Sequence, residues 1–386
     1  MNILITSALP KSLLDFRSKL IKELIIKDNR VFVIAPNIKK ERKVKYELEK
    51  LGVKILDYPL TNRSINVLND LISMLLIFYN ILNLNIDLVL AYNIKPVIYS
   101  GLSIRLLNFL KRKKIKFFPL ITGLGYIFTY TSKSFSKRLI FIFVRFLYKE
   151  SLKNSNCVIF QNLDDKKDFM NLKILNKNQK TERVWGSGIN LEEFRPKKLP
   201  KKKIFLMVSR LLIEKGVEEY MEAARIIKEK YPDVIFRLIG GFTSNKLASI
   251  NRSNLDNVVK NGFVEYLGEI PLYEVREELS KCRYFVLPSY REGTPRSVLE
   301  ALAIGRPVIT SDCPGCRETV IDGINGKLIR PRDVLDLVEK IELLINFSDK
   351  VLIKMSKESI NLAKEKYDVN KVNKKIIKII CEQKFV

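Results

Sequence analysis

The sequence predicts an α/β protein with two domains, each built on a parallel, doubly wound sheet. Its 386 residues exceed the ~250–300 at which a single hydrophobic core stops growing. Short apolar runs alternate with amphipathic segments of helical period, which is typical of parallel strands covered by helices on both faces. This alternation stops at a basic, proline-containing stretch and then begins again, so we expect two domains rather than one.

The first series of elements predicts an N-terminal domain over residues 1–194. Apolar residues recur at helical spacing over Leu13–Ile26, which predicts an amphipathic helix. Six short apolar runs predict buried strands: NILIT (2–6), VFVIAP (31–36), VKIL (53–56), DLVLAY (87–92), KFFPLIT (116–122) and NCVIFQN (156–162).

The stretch RPKKLPKKK (195–203) combines two prolines with six basic residues and predicts a linker. A C-terminal domain is expected over residues 204–365. Residues 366–386 form a separate segment with a basic amphipathic helix at Val369–Cys381, whose docking partner the sequence leaves open. The strands expected in the second domain are IFLMVSR (204–210), IFRLIGG (235–241), YFVLPSY (284–290), PVITSD (307–312) and GKLIRP (326–331).

The net charge of +27 is unevenly distributed along the chain. Residues 1–190 carry 33 Lys and Arg against 14 Asp and Glu, a net of +19, and the remainder carries 36 against 28, a net of +8. A basic surface attracts phosphorylated substrates, anionic lipid or nucleic acid, although a general abundance of lysine would produce the same excess. Five scattered cysteines, no secretory signal and no apolar run of spanning length predict a cytoplasmic protein.

Two strand ends in the second series have features of a diphosphate site. VSRLLIEKG (208–216) has Arg210 at a strand end and Lys215 just before Gly216 and a new helix. Fixed cations beside a helix N-terminus favour an anion, although the same pair also suits a solvated loop. LIGG (238–241) ends the next strand with two glycines, which either allow close approach of a ligand or simply form a turn.

YREGTPRSVLEALAIG (290–305) contains two glutamates eight positions apart. We expect a helix to begin at about Pro295 with Thr294 as its N-cap, and its first N–H groups to hold a phosphate or sugar oxygen. Glu292 lies in the turn before this helix, and Glu300 lies within its apolar sequence. A buried carboxylate at position 300 would need hydrogen-bond donors, and sugar or ribose hydroxyls are suitable. The alternative is a surface helix on which Glu300 faces water.

No metal site and no bound cofactor are expected. The chain has no histidine, and we find no D-x-D motif in a predicted loop. The C-x-x-C at Cys313–Cys316 is a single pair, whereas structural zinc needs four ligands.

Two segments of the first half are candidates for membrane association. SKSFSKRLIFIFVRFLYKESLK (132–153) has basic residues on both sides of an apolar run, and KRKKIK (111–116) adds a basic cluster. Such segments bind anionic membrane surfaces, each basic residue contributing on the order of 1 kcal/mol. An internal helix packed on the first sheet, preceded by a solvated basic loop, is the alternative.

Taken together, these motifs resemble those of the retaining glycosyltransferases of family 4. EGTPRSVLEALAIGRPVI (292–309) is similar to their E-x(7)-E signature, SR…EKG (209–216) to their phosphate-binding pair, and PGCRETVIDGINGKLI (314–329) to the segment that follows. The resemblance covers nearly the whole chain. First-half segments resemble the bacterial branch that builds O-antigen, capsule and lipid-linked glycans: KPVIYSG (95–101), ITGLGYIFT (121–129) and IFQNLDD (159–165).

This resemblance implies a GT-B type fold, with two Rossmann-like domains whose parallel sheets face each other across a cleft. It implies that Arg210 and Lys215 neutralise the donor diphosphate and stabilise the leaving nucleotide without a metal. Glu292 would hold the donor sugar, and Glu300 would accept hydrogen bonds from the ribose. Further donor contacts are implied for Gly240, for Val264 to Leu267 near the base, for Gly293, Thr294 and Pro295, and for the first-domain glycines Gly123 and Gly125.

The implied reaction moves a hexose or N-acetylhexosamine from a UDP-sugar to an undecaprenyl-diphosphate-linked saccharide in cell-surface polysaccharide synthesis. The enzyme would be peripheral on an anionic membrane surface, at the inner face of the cell membrane, and would bind no nucleic acid. Many relatives carry a first-domain histidine near the reacting sugar, and this chain has none. The leaving phosphate oxygen would therefore take the acceptor proton, with Glu292 as a nucleophile in an alternative two-step route.

Two other functions are compatible with the sequence. A sugar-nucleotide epimerase of the same fold would share the diphosphate site, but it would need acid–base residues beside the sugar. A basic nucleic-acid-binding protein would account for the charge, but the aromatic residues form no recognisable stacking platform and no helix-turn-helix or zinc-finger pattern is present.

Overall fold

The structure is a computed structural model that describes residues 1–59, 67–110, 114–124, 135–243 and 248–381. The chain divides into two compact units. Unit 1 comprises Met1–Ser187 and the C-terminal residues from Val372, and unit 2 comprises Gly188–Lys371. None of the described helices combines the length and apolarity that crossing a bilayer requires.

Unit 1 is built on a sheet in which every strand pair is parallel. Its strands are β1 (Asn2–Thr6), β2 (Arg30–Pro36), β3 (Lys54–Tyr58), β4 (Leu88–Tyr92), β5 (Lys116–Ile121), β6 (Val158–Phe160) and β7 (Thr181–Arg183). They lie in the order β3-β2-β1-β4-β5-β6-β7.

Helices cover both faces of this sheet. They are α1 (Pro10–Ile26), α2 (Arg42–Lys50), α3 (Val67–Asn83), α4 (Ile94–Phe109), α5 (Phe135–Leu152) and α6 (Leu163–Asn171). One hydrophobic core contains residues of α1 and α2, and the core on the opposite face contains residues of α3, α4, α5 and α6. The strands alternate their side chains between these two cores, which explains why they are apolar along their whole length.

Unit 2 repeats the same topology with six strands. These are β8 (Ile204–Val208), β9 (Ile235–Ile239), β10 (Glu265–Tyr266), β11 (Tyr284–Leu287), β12 (Val308–Ser311) and β13 (Gly326–Ile329), in the order β10-β9-β8-β11-β12-β13. Its helices are α7 (Val217–Lys230), α8 (Arg252–Lys260), α9 (Leu272–Lys281), α10 (Arg296–Ile304), α11 (Val334–Asn346) and α12 (Asp349–Lys366), and α13 (Val369–Cys381) follows them.

Both sheets reverse their strand order at one point. The chain proceeds outward from the first strand to the third and then returns to place the fourth on the other side, so the reversal lies between β1 and β4 and between β8 and β11. Loops that leave the carboxyl ends of two such strands diverge and open a crevice for ligands. The predicted fold class, two doubly wound parallel sheets, is confirmed. Strands β7 and β10 escaped prediction because they have only three and two residues and carry charges.

The proline- and lysine-rich stretch at 195–203 lies within unit 2, and the boundary between the units falls before it, at Ser187. Its backbone carbonyls accept hydrogen bonds from two buried arginines of that unit. Arg306 binds the carbonyl oxygens of Lys197 and Lys198 at 3.4 and 3.3 Å, and Arg283 binds that of Pro200. Composition alone suggested a linker because it does not reveal these backbone contacts.

The C-terminal helix α13 packs into unit 1. Ile376, Ile377 and Ile380 belong to the same core as α1 and α2. Asn373 is fully buried, and its amide donates to Glu23 Oε1 at 3.0 Å. The apolar stripe of this amphipathic helix thus completes one face of the first sheet, which answers the docking question that the sequence left open.

We predict that Ile376→Ala lowers the unfolding free energy of unit 1 by about 2–5 kcal/mol, because it removes a fully buried side chain and leaves a cavity. Trp185 is the only tryptophan of the chain and packs against this core, so its fluorescence during urea denaturation reports on unit 1. Lys375→Ala, on the half-exposed side of the same helix, is the control and should change the value by less than about 0.5 kcal/mol. Equal effects of the two substitutions would contradict the docking of α13.

Candidate active site

The candidate site lies at the carboxyl edge of the unit 2 sheet, where the strand order reverses between β8 and β11. After β8 the chain forms a short helical turn, Ile213–Lys215, and Gly216, with a φ of +72°, is the N-cap of α7. A Cβ on Gly216 would lie 2.2 Å from the carbonyl oxygen of Pro288, in the loop after β11. Glycine is therefore required for the two loops to lie against each other.

The turn that carries Glu292 is held from both sides by backbone contacts. On one side, the N–H of Tyr290 donates to the carbonyl of Glu214 at 2.9 Å. On the other, the N–H of Glu292 donates to the carbonyl of Pro314 at 3.0 Å. Gly315 has a φ of +80°, and a Cβ there would lie 2.2 Å from the carbonyl oxygen of Glu292. The PGC segment thus supports the glutamate turn, a role that its sequence did not suggest.

Lys215 and Glu292 form an ion pair within this site. Lys215 Nζ lies 2.5 Å from Glu292 Oε1, and each side chain is only 14% exposed. Ser289 Oγ donates to the same Oε1 at 2.9 Å. Each charge compensates the other where little water reaches, which makes both tolerable in a partly buried position. The sequence assigned these residues to different parts of the donor, and the structure brings them into direct contact.

Tyr290 ties the same turn to α7, and sequence reasoning missed it. Its hydroxyl donates to Glu219 Oε1 at 2.5 Å, and the guanidinium of Arg332 lies 4.5 Å from the centre of its ring. Burial, together with the neighbouring Glu219 carboxylate, raises the pKa of Tyr290. The phenol therefore stays protonated and keeps donating across the ordinary pH range.

Glu300 is a buried carboxylate with only 5% of its surface exposed. Every residue of α10 from Val298 to Ile304 is buried, which excludes the alternative of a surface helix with Glu300 in water. Arg296 Nε donates to Glu300 Oε1 at 3.0 Å, which offsets part of the cost of burying the charge. Sequence reasoning missed Arg296, although its i, i+4 spacing to Glu300 is a signal for such a pair.

Helix α10 begins at Arg296 with Pro295 as its N-cap. The prediction of Thr294 as the N-cap is wrong, because the Thr294 hydroxyl donates instead to the carbonyl of Gly293 at 2.9 Å. The N–H groups of a first helical turn have no carbonyl partner within the helix. Since α10 follows β11, this positive end of the helix lies at the carboxyl edge of the sheet, where it favours an anion or a polar oxygen.

Gly240 follows β9 at the same edge with a φ of +151°. A Cβ there would lie 1.7 Å from the carbonyl oxygen of Ser209, so this glycine lets the β9 loop pack on the β8 loop. Leu267, just after β10, is 39% exposed at this edge. Val264, just before β10, is buried with only 3% of its surface exposed, so the structure does not support the expected contact of this residue with the base.

Three other residues were predicted for the donor site: Arg210, Gly123 and Gly125. Arg210 is exposed in the loop after β8. Gly123 follows β5 in unit 1 with a φ of +120°, and Gly125 lies outside the described residues.

Cys313 and Cys316 are buried free thiols. Cys313 Sγ donates to the carbonyl of Ser289 at 3.2 Å, and burial raises the pKa of Cys316 well above its ordinary value. Both thiols pack behind the glutamate turn. Among the residues that the structure describes, no group of three or more Asp, Glu or Cys side chains is arranged to hold a metal ion.

Comparison with known proteins identifies relatives of this chain. Residues 190–380 match the family of glycosyl transferases group 1. The N,N'-diacetylbacillosaminyl-diphospho-undecaprenol alpha-1,3-N-acetylgalactosaminyltransferase of Campylobacter jejuni is 33% identical over 384 residues, which cover 95% of each chain. The capsular polysaccharide biosynthesis glycosyltransferase CapM of Staphylococcus aureus is 31% identical over 142 residues, 36% of each chain.

Solved structures show the same fold over nearly the full length. Sucrose-phosphate synthase from Thermosynechococcus elongatus superposes with a TM-score of 0.78 at 17% identity and covers 97% of both chains. The Anabaena protein HepE, in complex with UDP, gives a TM-score of 0.75 at 16% identity and covers 98% of this chain and 99% of its own.

These relatives favour neither an epimerase nor a nucleic-acid-binding protein, the two other functions that the sequence allowed. The similarity to the Campylobacter enzyme extends through both units, and the motifs around Glu292 and Glu300 lie inside the matched family region. The chain therefore belongs to the group 1 glycosyltransferases, the enzymes of family 4 with a GT-B type fold, and is a glycosyltransferase.

Proposed function

We propose that the enzyme transfers a hexose or N-acetylhexosamine from a UDP-sugar to an undecaprenyl-diphosphate-linked saccharide, with retention of configuration and without a metal ion. The Lys215–Glu292 pair at the point of strand reversal is the observation that carries the proposal. It combines a cation for the donor diphosphate with a carboxylate for the donor sugar in one partly buried position. The Campylobacter relative, named for transfer to a diphospho-undecaprenol acceptor, supports the choice of acceptor.

The proposed diphosphate site uses the loop between β8 and α7. Lys215 is oriented by Glu292, and Arg210 is exposed in the same loop, ready to contact a ligand from the crevice. Negative charge grows on the nucleotide diphosphate as the bond to the sugar breaks. Cations fixed beside the leaving group stabilise that charge, and they need not reorganise during the reaction. The N-terminus of α10 adds further positive potential.

The proposed transfer occurs on one face of the sugar. The acceptor hydroxyl oxygen forms the new bond to the anomeric carbon on the side from which the diphosphate departs. The old carbon–oxygen bond breaks, and the hydroxyl proton passes to the departing phosphate oxygen. This route needs no imidazole base, in keeping with a chain that has no histidine. It retains the anomeric configuration.

Glu292 has a positioning role in this scheme. Its Oε1 already accepts from Lys215 and Ser289, and these donors lower the nucleophilicity of the carboxylate. We propose that Oε2 accepts from a hydroxyl of the donor sugar, beside the backbone of Gly293 to Pro295. The two-step route through a covalent sugar is disfavoured by the same pairing.

Glu300 is proposed to bind the ribose. Two adjacent ribose hydroxyls can donate to the two oxygens of one carboxylate. Arg296 Nε donates to Glu300 Oε1 at 3.0 Å and so holds that oxygen in place. Gly240 and Leu267 at the same edge would approach the nucleoside, Leu267 through its exposed side chain.

The acceptor suggests the location of the enzyme. An undecaprenyl chain remains in the membrane, while nucleotide sugars are cytoplasmic co-substrates. The enzyme is therefore proposed to work as a peripheral protein at the inner face of the cell membrane.

Purified protein, tested with a panel of UDP-sugars and undecaprenyl-diphosphate-linked acceptors, should glycosylate the lipid. Donor turnover that yields only an isomerised nucleotide sugar, with no need for an acceptor, would instead identify an epimerase.

We predict that Lys215→Met lowers kcat about 10²–10³-fold, since it removes the charge that stabilises the leaving diphosphate. The double variant Lys215→Met with Glu292→Gln removes the unpaired carboxylate but should remain equally inactive. Recovery of activity in the double variant would mean that the pair is only structural. Lys230→Met with Glu342→Gln, an exposed ion pair of the same unit, is the matched control and should keep full activity.

We predict that Glu300→Gln raises KM for the UDP-sugar about tenfold or more, because a hydrogen bond to a charged acceptor is worth about 1.5–3 kcal/mol. A UDP-sugar whose ribose lacks the 2′-hydroxyl tests whether the lost hydrogen bond is the one to the ribose. Wild-type enzyme should discriminate strongly against the deoxy donor, and the variant should use both donors about equally. Unchanged discrimination would exclude Glu300 as the ribose ligand. Glu339→Gln, at a side chain that is 70% exposed, is the control.

We predict that excess EDTA leaves the transfer rate within about twofold of its untreated value, because Lys215, Arg210 and the α10 N-terminus supply the positive charge. The product should have the anomeric configuration of the donor, as measured by the proton coupling constant at the anomeric carbon. Loss of activity that added Mg²⁺ or Mn²⁺ restores would refute the metal-independent mechanism. An inverted product would refute the same-face transfer.

A further inference from the structure

One layer of unit 1 exposes an unusual number of large apolar side chains. Twelve of the thirty exposed large hydrophobic residues in the described chain lie on α3, on α5 or at the end of α4, so they are concentrated on three elements. We call this surface the three-helix face. On α3 it consists of Leu68, Leu71, Ile72, Leu75 and Tyr79. On α5 it consists of Leu139, Ile142, Phe143 and Phe146, and at the end of α4 of Leu106, Phe109 and Leu110.

The spacing shows that these residues form stripes. On α3 and on α5 they recur at i, i+3, i+4 and i+7, which places them along one side of each helix. The opposite sides are also apolar and are buried against the sheet, as Ile77 and Ile81 of α3 and Val144 and Tyr148 of α5 show. A surface helix of a globular protein has a polar outer side, whereas these helices are apolar on both sides.

The three helices form one continuous layer. Helix α4 lies between α3 and α5 and packs against both. Lys95 of α4 pairs with Asp70 of α3 at 2.9 Å. Gly101 of α4 lies so close to α5 that a Cβ there would be 2.3 Å from the carbonyl oxygen of Ser151. The stripes on α3 and α5 therefore belong to one layer held by direct helix contacts.

Charge identifies the partner of this surface. Exposed cations flank it at Lys114, Arg138 and Lys153, and residues 1–190 carry a net charge of +19. Two copies of the chain joined through this face would bring like charges together. Anionic lipid headgroups would instead neutralise the basic rim while the acyl region receives the apolar stripes. The pattern of an apolar centre with a basic edge matches an anionic bilayer surface.

We propose that the three-helix face docks on an anionic lipid bilayer, with the side chains of α3 and α5 inserted at the boundary between headgroups and acyl chains. Such helices lie in the plane of the interface, buried about 5–10 Å deep, and do not span the membrane. This inference rests on the proposed lipid-linked acceptor, because docking would hold the enzyme where that acceptor lies. It extends the sequence-based candidate at 132–153 to α3 and the end of α4, which composition had not singled out.

The test is flotation with vesicles of phosphatidylcholine alone or of phosphatidylcholine mixed with phosphatidylglycerol. Wild-type protein should bind the mixed vesicles, and Phe143→Glu with Phe146→Glu should weaken binding about tenfold or more through lost apolar burial. The control is Ile26→Glu with Tyr46→Glu, two exposed apolar residues of α1 and α2 on the opposite face of the sheet. Both variants change the net charge equally, so the comparison isolates the apolar contact. The control should bind within about twofold of wild type.

Three outcomes would overturn the inference: equal binding by both variants, no binding of wild type to the mixed vesicles, or a wild-type dimer in sedimentation that only the Phe143 and Phe146 substitutions dissociate. Circular dichroism melting establishes that the variants are folded. A water-soluble acceptor with a short lipid chain separates this inference from the proposed function. The Phe143 and Phe146 variant should transfer sugar to that acceptor at the wild-type rate and fail only with acceptor in vesicles.

Discussion

The ion pair between Lys215 and Glu292 joins two loops that leave the second sheet on either side of its strand reversal. Loops at such a reversal ordinarily diverge, but here the loops after β8 and β11 are also joined by their backbones, since the N–H of Tyr290 donates to the carbonyl of Glu214. Two glycines make the closeness possible, since Gly216 touches Pro288 and Gly315 touches the backbone of Glu292. The site thus depends on backbone packing first and on charge second, because side chains at bond distance require backbones already held in place.

Paired charges recur through the same region. Glu300 is paired with Arg296, and Glu292 with Lys215. Each glutamate that is proposed to bind the sugar donor therefore has a compensating cation in the chain. Carboxylates that are paired and oriented before the ligand arrives need little rearrangement to accept hydrogen bonds from its hydroxyl groups. Tyr290 adds a neutral donor that stays protonated and fastens the turn to α7.

The two faces of the first sheet are completed differently. Helix α13 returns from the end of the chain to supply Ile376 and its neighbours to one core, so that face is closed by the protein itself. The other face is closed by α3, α4 and α5, whose outer sides remain apolar. The same topology therefore has two different roles in this chain: unit 2 provides the paired charges of the proposed nucleotide site, and unit 1 presents an apolar layer with a basic edge.

Much of this could be predicted from the sequence, because its signals are local. Alternating apolar runs and helical periods determined the two parallel sheets, and the motifs around Arg210, Lys215, Glu292 and Glu300 determined the family. What the sequence could not determine were contacts between distant segments: the pairing of Lys215 with Glu292, the packing of residues 195–203 on Arg306, and the docking of α13. The exposed stripes on α3 and α5 also required the tertiary structure, since periodicity shows that a helix is apolar but not which of its sides is covered. Only the packing of the whole chain decides which charges meet and which apolar surfaces remain in water.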